Sequence, residues 1–209
     1  MARFARSERL ALADLLLRLG PEAPTLCEGW KTRDLAAHLV VRERRPDAAA
    51  GLVLPPLRGR GERVRAETAL SPYADLVDRL RRPPWWSPVS NPLADRVFNP
   101  MELFIHHEDV RRAQSGWQPR ELPPAAGREL WRRVPALARF ALRRLPAEVT
   151  VQAPGYGQGR AGAGGPRVRL IGAPGELLMF MSGRQRAARV QVDGPAALAE
   201  RVRGAALAL

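Results

Sequence analysis

Two of the three histidines in this 209-residue chain fall in one short stretch, Glu102-Leu103-Phe104-Ile105-His106-His107-Glu108-Asp109. At about 100° per residue, a helix through this stretch puts Glu102, His106, Asp109 and Ala113 on one narrow stripe. Leu103 and Val110 flank that stripe on one side and Ile105 on the other. His107, Glu108, Arg111 and Arg112 fall on the remaining side, which this reading assigns to water. The stripe therefore places acids and an imidazole in the middle of an apolar arc, where they must be paired or must bind something. Two outcomes satisfy that requirement. One is an internal Glu–His hydrogen bond between two core residues, and the other is a metal ion.

A ligand from elsewhere in the chain decides how far the metal reading goes. His38 lies on a second predicted helix, with Asp34 one turn before it and Arg42 one turn after. This polar row is also compatible with a partly exposed helix face. Taken together, His38, Glu102 and His106 make a set of two imidazoles and one carboxylate, which suits zinc or another divalent first-row ion. Three protein ligands leave a coordination position open, as catalytic rather than structural metal sites do. Asp109 then becomes an acceptor behind the ligands or a further contact to the site.

Bulk properties narrow the classes. The formal net charge is +13, and Lys31 is the one lysine among 34 basic residues. The arginines are spread along the whole chain, without an aromatic-interleaved platform, zinc knuckle or helix-turn-helix. Nucleic acid is thus not the expected partner, and attraction of an anionic small molecule is the more economical use of the charge. No run approaches the roughly 18 apolar residues of a membrane span. The N-terminal residues Met1 to Ser7 lack a hydrophobic signal core, and Cys27 stands alone, so a reducing cytoplasm is the expected compartment.

Periodicity and punctuation predict helices over residues 7–19 with Ser7 as the cap, from Thr32 to before Pro46, and over 61–80 with a restart at Ser71-Pro72. Further helices are expected from Asn99-Pro100 to Gly116 and from Pro124 to Leu145, the latter kinked at Pro135. After Pro146 the pattern changes to strands at Val149–Val151, Val168–Ile171 and Arg189–Val192, with helices over 174–181 and 195–206. The expected architecture is mainly α: a helical bundle over residues 1–146, then a small α+β module over 147–209. Gly155-Tyr156-Gly157-Gln158-Gly159 lacks the ending of a nucleotide loop and reads as a hairpin connection. Cys27 is expected to pack at the entry to the second helix and His107 to sit on the rim of its helix. The Trp85-Trp86 pair is expected to cover the core.

Several of these segments carry a resemblance. Pro24-Thr25-Leu26-Cys27-Glu28-Gly29-Trp30, then Arg33-Asp34-Leu35-Ala36-Ala37-His38-Leu39, resembles the entry to the second helix in the DinB-like, mycothiol-dependent maleylpyruvate isomerase group. Glu102-Leu103-Phe104-Ile105-His106 with Asp109 is similar to that group's second motif. Arg169-Leu170-Ile171-Gly172, Leu177-Leu178, Ser182-Gly183-Arg184 and Val192-Asp193-Gly194 look like its small C-terminal domain. Val40-Val41-Arg42-Glu43-Arg44-Arg45-Pro46 looks similar to an actinobacterial branch of metal-binding proteins. Glu108 departs from the pattern, since a tryptophan often precedes the aspartate there.

The resemblance implies a DinB-type four-helix bundle holding a divalent metal, usually zinc, on His38, Glu102 and His106. It further implies a small-molecule substrate and a low-molecular-weight thiol, mycothiol, as partner. The expected chemistry is thiol-dependent isomerisation or thiol transfer on a small electrophile, with Arg184 or Arg42 holding a substrate carboxylate. The same bundle would also serve a non-catalytic metal-binding regulatory module. A homodimer is compatible with either.

Overall fold

The computed structural model describes residues 2–49, 51, 56, 58–87 and 99–207. The chain divides into two compact units, residues 1–118 and 119–209. The expected boundary at 146/147 falls inside the second unit, because the two helices that precede it pack with the C-terminal elements.

The first unit is helical. It comprises α1 (Ala2–Leu19), α2 (Thr32–Arg44), a single turn α3 (Pro46–Ala49), α4 (Arg58–Ala69), α5 (Tyr73–Arg81) and α6 (Asn99–Arg112). Helix α1 lies along α6 and α5, and α2 lies against α4 and α5. Leu12, Ala13 and Leu16 of α1 meet Leu35, Ala36, Leu39 and Val40 of α2, Leu76, Val77 and Leu80 of α5, and Val110 of α6. The 3–4 spacing of these residues is what lets four amphipathic faces close on one core. No helix among the described residues is long and apolar enough to cross a membrane.

Local chemistry moves the helix starts from where the sequence reading puts them. Helix α1 begins well before Ser7, whose hydroxyl donates back to the Phe4 carbonyl (2.8 Å) instead of capping. Lys31 is the residue before α2, and its N–H is taken by the Asp34 carboxylate three residues on (3.0 Å). Thr32, the first helical residue, turns its hydroxyl to the Gly20 carbonyl (2.5 Å). The restart at Ser71-Pro72 does separate α4 from α5. The Trp85-Trp86 pair does not cover the core: the two rings are 91% and 50% exposed.

Helix α6 departs most from expectation. Every residue from Leu103 to Val110 is buried, so it has no wet side in its middle turns. His107 is not a rim residue; its Nδ1 lies 2.9 Å from Glu8 Oε2 on α1, which covers that face. Glu108 Oε2 accepts from Arg112 Nε (2.6 Å) and Glu108 Oε1 from Arg111 (2.8 Å). Arg112 also lies over the Trp117 ring at 4.8 Å. Glu108 and Arg112 keep their charges inside the protein by pairing, as buried ions must.

The second unit contains α7 (Pro124–Trp131), α8 (Val134–Ala141), β1 (Glu148–Ala153), β2 (Gly157–Ala161), β3 (Arg167–Ile171), α9 (Pro174–Met181), β4 (Gln191–Asp193) and α10 (Ala196–Arg203). Its sheet runs β2-β1-β3-β4, with β1 antiparallel to β2, parallel to β3, and β3 antiparallel to β4. Val149, Val151 and Ala153 alternate inward on β1, as do Val168 and Leu170 on β3, while the other face is polar. All eight residues of α9 are buried, between the sheet and α7 and α8. The helix expected over 124–145 is two helices, α7 and α8, separated just before Pro135.

The glycine-rich stretch is itself a strand, where a connection was expected. At Gly159 a Cβ would stand 3.0 Å from Pro135, and at Gly157, whose φ is +135°, it would stand 3.1 Å from the Trp131 ring. Glycine there allows β2 to approach α7 and α8 closely, which accounts for the composition without a bound phosphate.

The Glu108–Arg112 pair yields a stability test. Both side chains are only 1% exposed, so Glu108→Gln leaves the Arg112 charge buried with its carboxylate gone. The expected cost is about 3 kcal/mol, measured as a drop in unfolding free energy by urea titration. Wild-type stability in that variant would contradict the buried-pair assignment.

Candidate metal centre

The site is built where α2 faces α6. On α6, Glu102, His106 and Asp109 follow one another up a single stripe, as their i, i+4, i+7 spacing requires. On α2, His38 faces that stripe. His106 Nε2 lies 3.3 Å from Glu102 Oε1, and His38 Nε2 lies 3.7 Å from the same oxygen. One ligand atom from each of His38, Glu102 and His106 can be chosen so that all lie within 4.8 Å of one another. Donors bound tetrahedrally at about 2.0–2.1 Å from a first-row ion stand roughly 3.3–3.5 Å apart. The observed separations are therefore near those of a ligand set that closes on an ion with small side-chain movements.

His38 tests whether a metal fits. Neither ring nitrogen has a hydrogen-bond partner among the described residues, and both are buried. Its distance to Glu102 is too long for a hydrogen bond. A ring with two unsatisfied buried nitrogens is an expensive core residue but a ready ligand. The internal hydrogen-bond alternative satisfies His106 and leaves His38 unexplained. The residues present thus fit a divalent ion.

The rest of the environment holds these groups in place. The Trp30 ring lies 5.1 Å from His38, and the His38 and His106 rings meet edge to face at 5.1 Å. Arg65 stacks over Trp30 at 4.9 Å, and its guanidinium is bound by Asp34 (2.6 Å) and by Glu62. Asp34 is therefore a capping and bracing residue at the start of α2. Arg42, one turn beyond His38, brings Nε to 3.9 Å from Glu102 Oε1. Glu102 is the most open of the three candidate ligands, with 27% of its side chain exposed against 12% for His38 and 9% for His106. Access to the site is therefore on the Glu102 side.

Asp109 lies behind His106 and has no exposed surface. Its Oδ2 is 3.1 Å from His106 Nδ1 and 3.3 Å from the Cys27 sulfur, which donates to it. A proton on Nδ1 shared with this carboxylate leaves the Nε2 lone pair for the site.

The electrostatics divide the groups by role. Burial pushes Glu102 up, yet the His106 and His38 rings beside it and the charge of Arg42 hold it well below the usual carboxylate range. Burial pushes His106 down, but Asp109, Cys27 and Glu102 raise it well above an ordinary histidine. Burial lowers His38, against a weaker upward pull from Glu102. Glu102 is thus an anion, His38 a neutral imidazole, and His106 a ring whose proton is held by flanking acceptors.

Arg184 belongs to the second unit. It follows the turn at Gly183 (φ +84°) after α9, and its guanidinium donates to the Ser182 carbonyl (2.5 Å). Two residues gain a place here that their sequence context did not give them. Trp30 reaches His38 because the turn at Gly29 (φ +74°) folds residues 24–31 back on themselves, closed by a bridge between Pro24 and Lys31. Cys27 reaches Asp109 through the same turn, so it does more than pack at the entry to α2.

No family model matches the sequence, and no curated protein matches it. Two solved structures resemble it along nearly its whole length. One is the crystal structure of the mycothiol-dependent maleylpyruvate isomerase, 18% identical, with a TM-score of 0.60 over 93% of this chain and 92% of that one. The other is a histidine-to-alanine mutant of the mycothiol-dependent maleylpyruvate isomerase, 17% identical, with the same TM-score and coverage. A helical unit followed by a small α+β unit is therefore the fold this chain shares with the mycothiol-dependent maleylpyruvate isomerase.

Proposed function

We propose that this chain is a divalent-metal protein, zinc being the first choice, with His38, Glu102 and His106 as ligands. We further propose that it uses a low-molecular-weight thiol of the mycothiol kind to isomerise a small electrophilic and anionic substrate, or to add that thiol to it. The observation that carries the metal reading is the His38 ring, whose two buried nitrogens have no hydrogen-bond partner among the described residues and which lies 3.7 Å from a carboxylate shared with His106. The thiol and the substrate class rest on the fold shared with an isomerase that is named for both.

A bound divalent ion would supply Lewis acidity and lower the pKa of a thiol or water at its open position. The chain's own residues do the remaining work. His38 enters as a neutral imidazole because its burial disfavours the cation. Glu102 contributes negative charge, which Arg42 helps to keep ionised. Asp109 holds the Nδ1 side of His106 and directs Nε2 toward Glu102. Trp30, packed on His38, shields that ring from water. Arg42, beside Glu102 at the more open side, is assigned to a substrate carboxylate. The net charge of +13 favours the approach of an anion. A lone, half-buried Cys27 suits a reducing cytoplasm.

Two tests follow from the geometry. A ligating histidine must be deprotonated at the bound nitrogen, and the raised pKa of His106 means that it carries that proton at neutral pH. Metal binding should therefore release about one proton and tighten by up to about tenfold per pH unit from pH 6 to 8. Calorimetry in buffers of different ionisation enthalpy reads the proton directly, and pH-independent binding would contradict the ligand assignment.

The second test is turnover of maleylpyruvate by zinc-loaded protein, with and without mycothiol. Arg42→Gln should raise KM by about tenfold, the loss of one charge-assisted contact, with a smaller change in kcat and unchanged zinc content. Activity that survives zinc removal or needs no thiol would overturn the reading, and an unchanged KM would remove Arg42 from the site.

A further inference from the structure

Cys27 is the chain's single cysteine, and the proposed chemistry leaves it unused. We infer that it is a positioning residue for His106, acting through Asp109. The thiol and the Nδ1 side of the imidazole meet on one carboxylate oxygen, and the thiol helps to fix where that oxygen sits. The inference rests on the metal reading above.

The geometry is specific. Asp109 Oδ2 lies 3.3 Å from the Cys27 sulfur and 3.1 Å from His106 Nδ1. Asp109 has no exposed surface, so bulk water does not compete for that oxygen. Cys27 is grouped with His106 and Asp109 as potential ligands, whereas the second group joins His106 to His38 and Glu102. The sulfur thus belongs to the Nδ1 side of the ring, while Nε2 meets Glu102 at 3.3 Å.

The loop that carries the thiol is tied to α6 twice. Leu26 N–H donates to the Asp109 main-chain carbonyl (3.0 Å), so main chain and side chain of Asp109 are both gripped by adjacent residues. Gln114, just beyond α6, donates to the Pro24 carbonyl (3.0 Å). Thr25 Oγ1 accepts from Cys27 N–H (3.2 Å) and donates to the Trp30 carbonyl (2.8 Å), which closes the loop internally. A donor delivered by so constrained a loop orders the carboxylate before a metal arrives. Loss of that donor loosens the carboxylate and, with it, the direction of the Nε2 lone pair.

Cobalt(II) serves as the probe, because its visible spectrum reports ligand geometry independently of activity. Cys27→Ala should weaken Co(II) binding by about tenfold, the low end for an outer partner of a ligating histidine, and shift the visible bands. Cys27→Ser, which keeps a donor at nearly the same volume and guards against misfolding, should restore affinity to within about threefold. In an Asp109→Asn background, Cys27→Ala should cost little more, since its effect runs through that carboxylate.

Wild-type affinity and spectrum in Cys27→Ala would overturn the proposal. So would an intense sulfur-to-cobalt band in the wild type, because Cys27 would then be a ligand. Failure of the wild type to bind Co(II) at all would sink the metal reading itself, a result distinct from unaltered binding by Cys27→Ala.

Discussion

The cost of placing charge inside a helical bundle shapes this molecule. Helix α6 carries His106, His107, Glu108, Asp109 and Arg112, and each of them is buried. An isolated ion in such a setting costs several kcal/mol, so each must find a counter-group. Glu8 on α1 answers His107, Arg112 answers Glu108, and Asp109 answers His106. The close packing of α1 along α6 requires this pairing, since Glu8 sits on the buried face of α1 among leucines. Arg9, its neighbour, is likewise committed, to Glu43 and the Leu80 carbonyl. Single buried atoms of Glu43, Arg44, Arg81 and Ser87 also lack a hydrogen bond, but among the described residues His38 alone has two such atoms.

That contrast separates structure from function on one helix. The stripe containing Glu102, His106 and Asp109 converges on His38, whose nitrogens have no partner. The opposite residues close on one another or on α1 and leave no capacity over. Adjacent histidines on α6 therefore have different fates: His107 is consumed by Glu8, whereas His106 keeps Nε2 directed at the site. The same logic places Arg65 and Asp34 as braces, because each is already committed to the other.

Much of this was legible in the sequence, for identifiable reasons. Helical periodicity put Glu102, His106 and Asp109 on one stripe, and proline and serine placed the break between α4 and α5. The motif around Asp34 and His38 singled out the second helix of the candidate site. The misreadings arose where partners distant in the chain override local pattern. Glu108 and Arg112 look like a solvated face until each is seen to neutralise the other. His107 looks exposed until α1 brings Glu8 across. Gly157 and Gly159 look like a flexible connection because the Trp131 and Pro135 contacts that require them lie more than twenty residues earlier. The division at 118/119 has no local signal, because α7 and α8 read as two more bundle helices and nothing in their sequence says which core they join. Cys27 was undervalued for the same reason, since its partner is 82 residues away.

Metal binding through His38, as proposed, makes the zinc content of the protein depend on that side chain. Wild-type protein and His38→Ala, loaded with excess zinc, desalted and assayed by elemental analysis, give the comparison. Because His38 makes no hydrogen bond in the fold, its removal should leave the helical circular dichroism intact. Ligation by His38 predicts about one equivalent of zinc in the wild type and loss of it in the folded variant. Equal zinc in the two proteins, or none in the wild type, would contradict it.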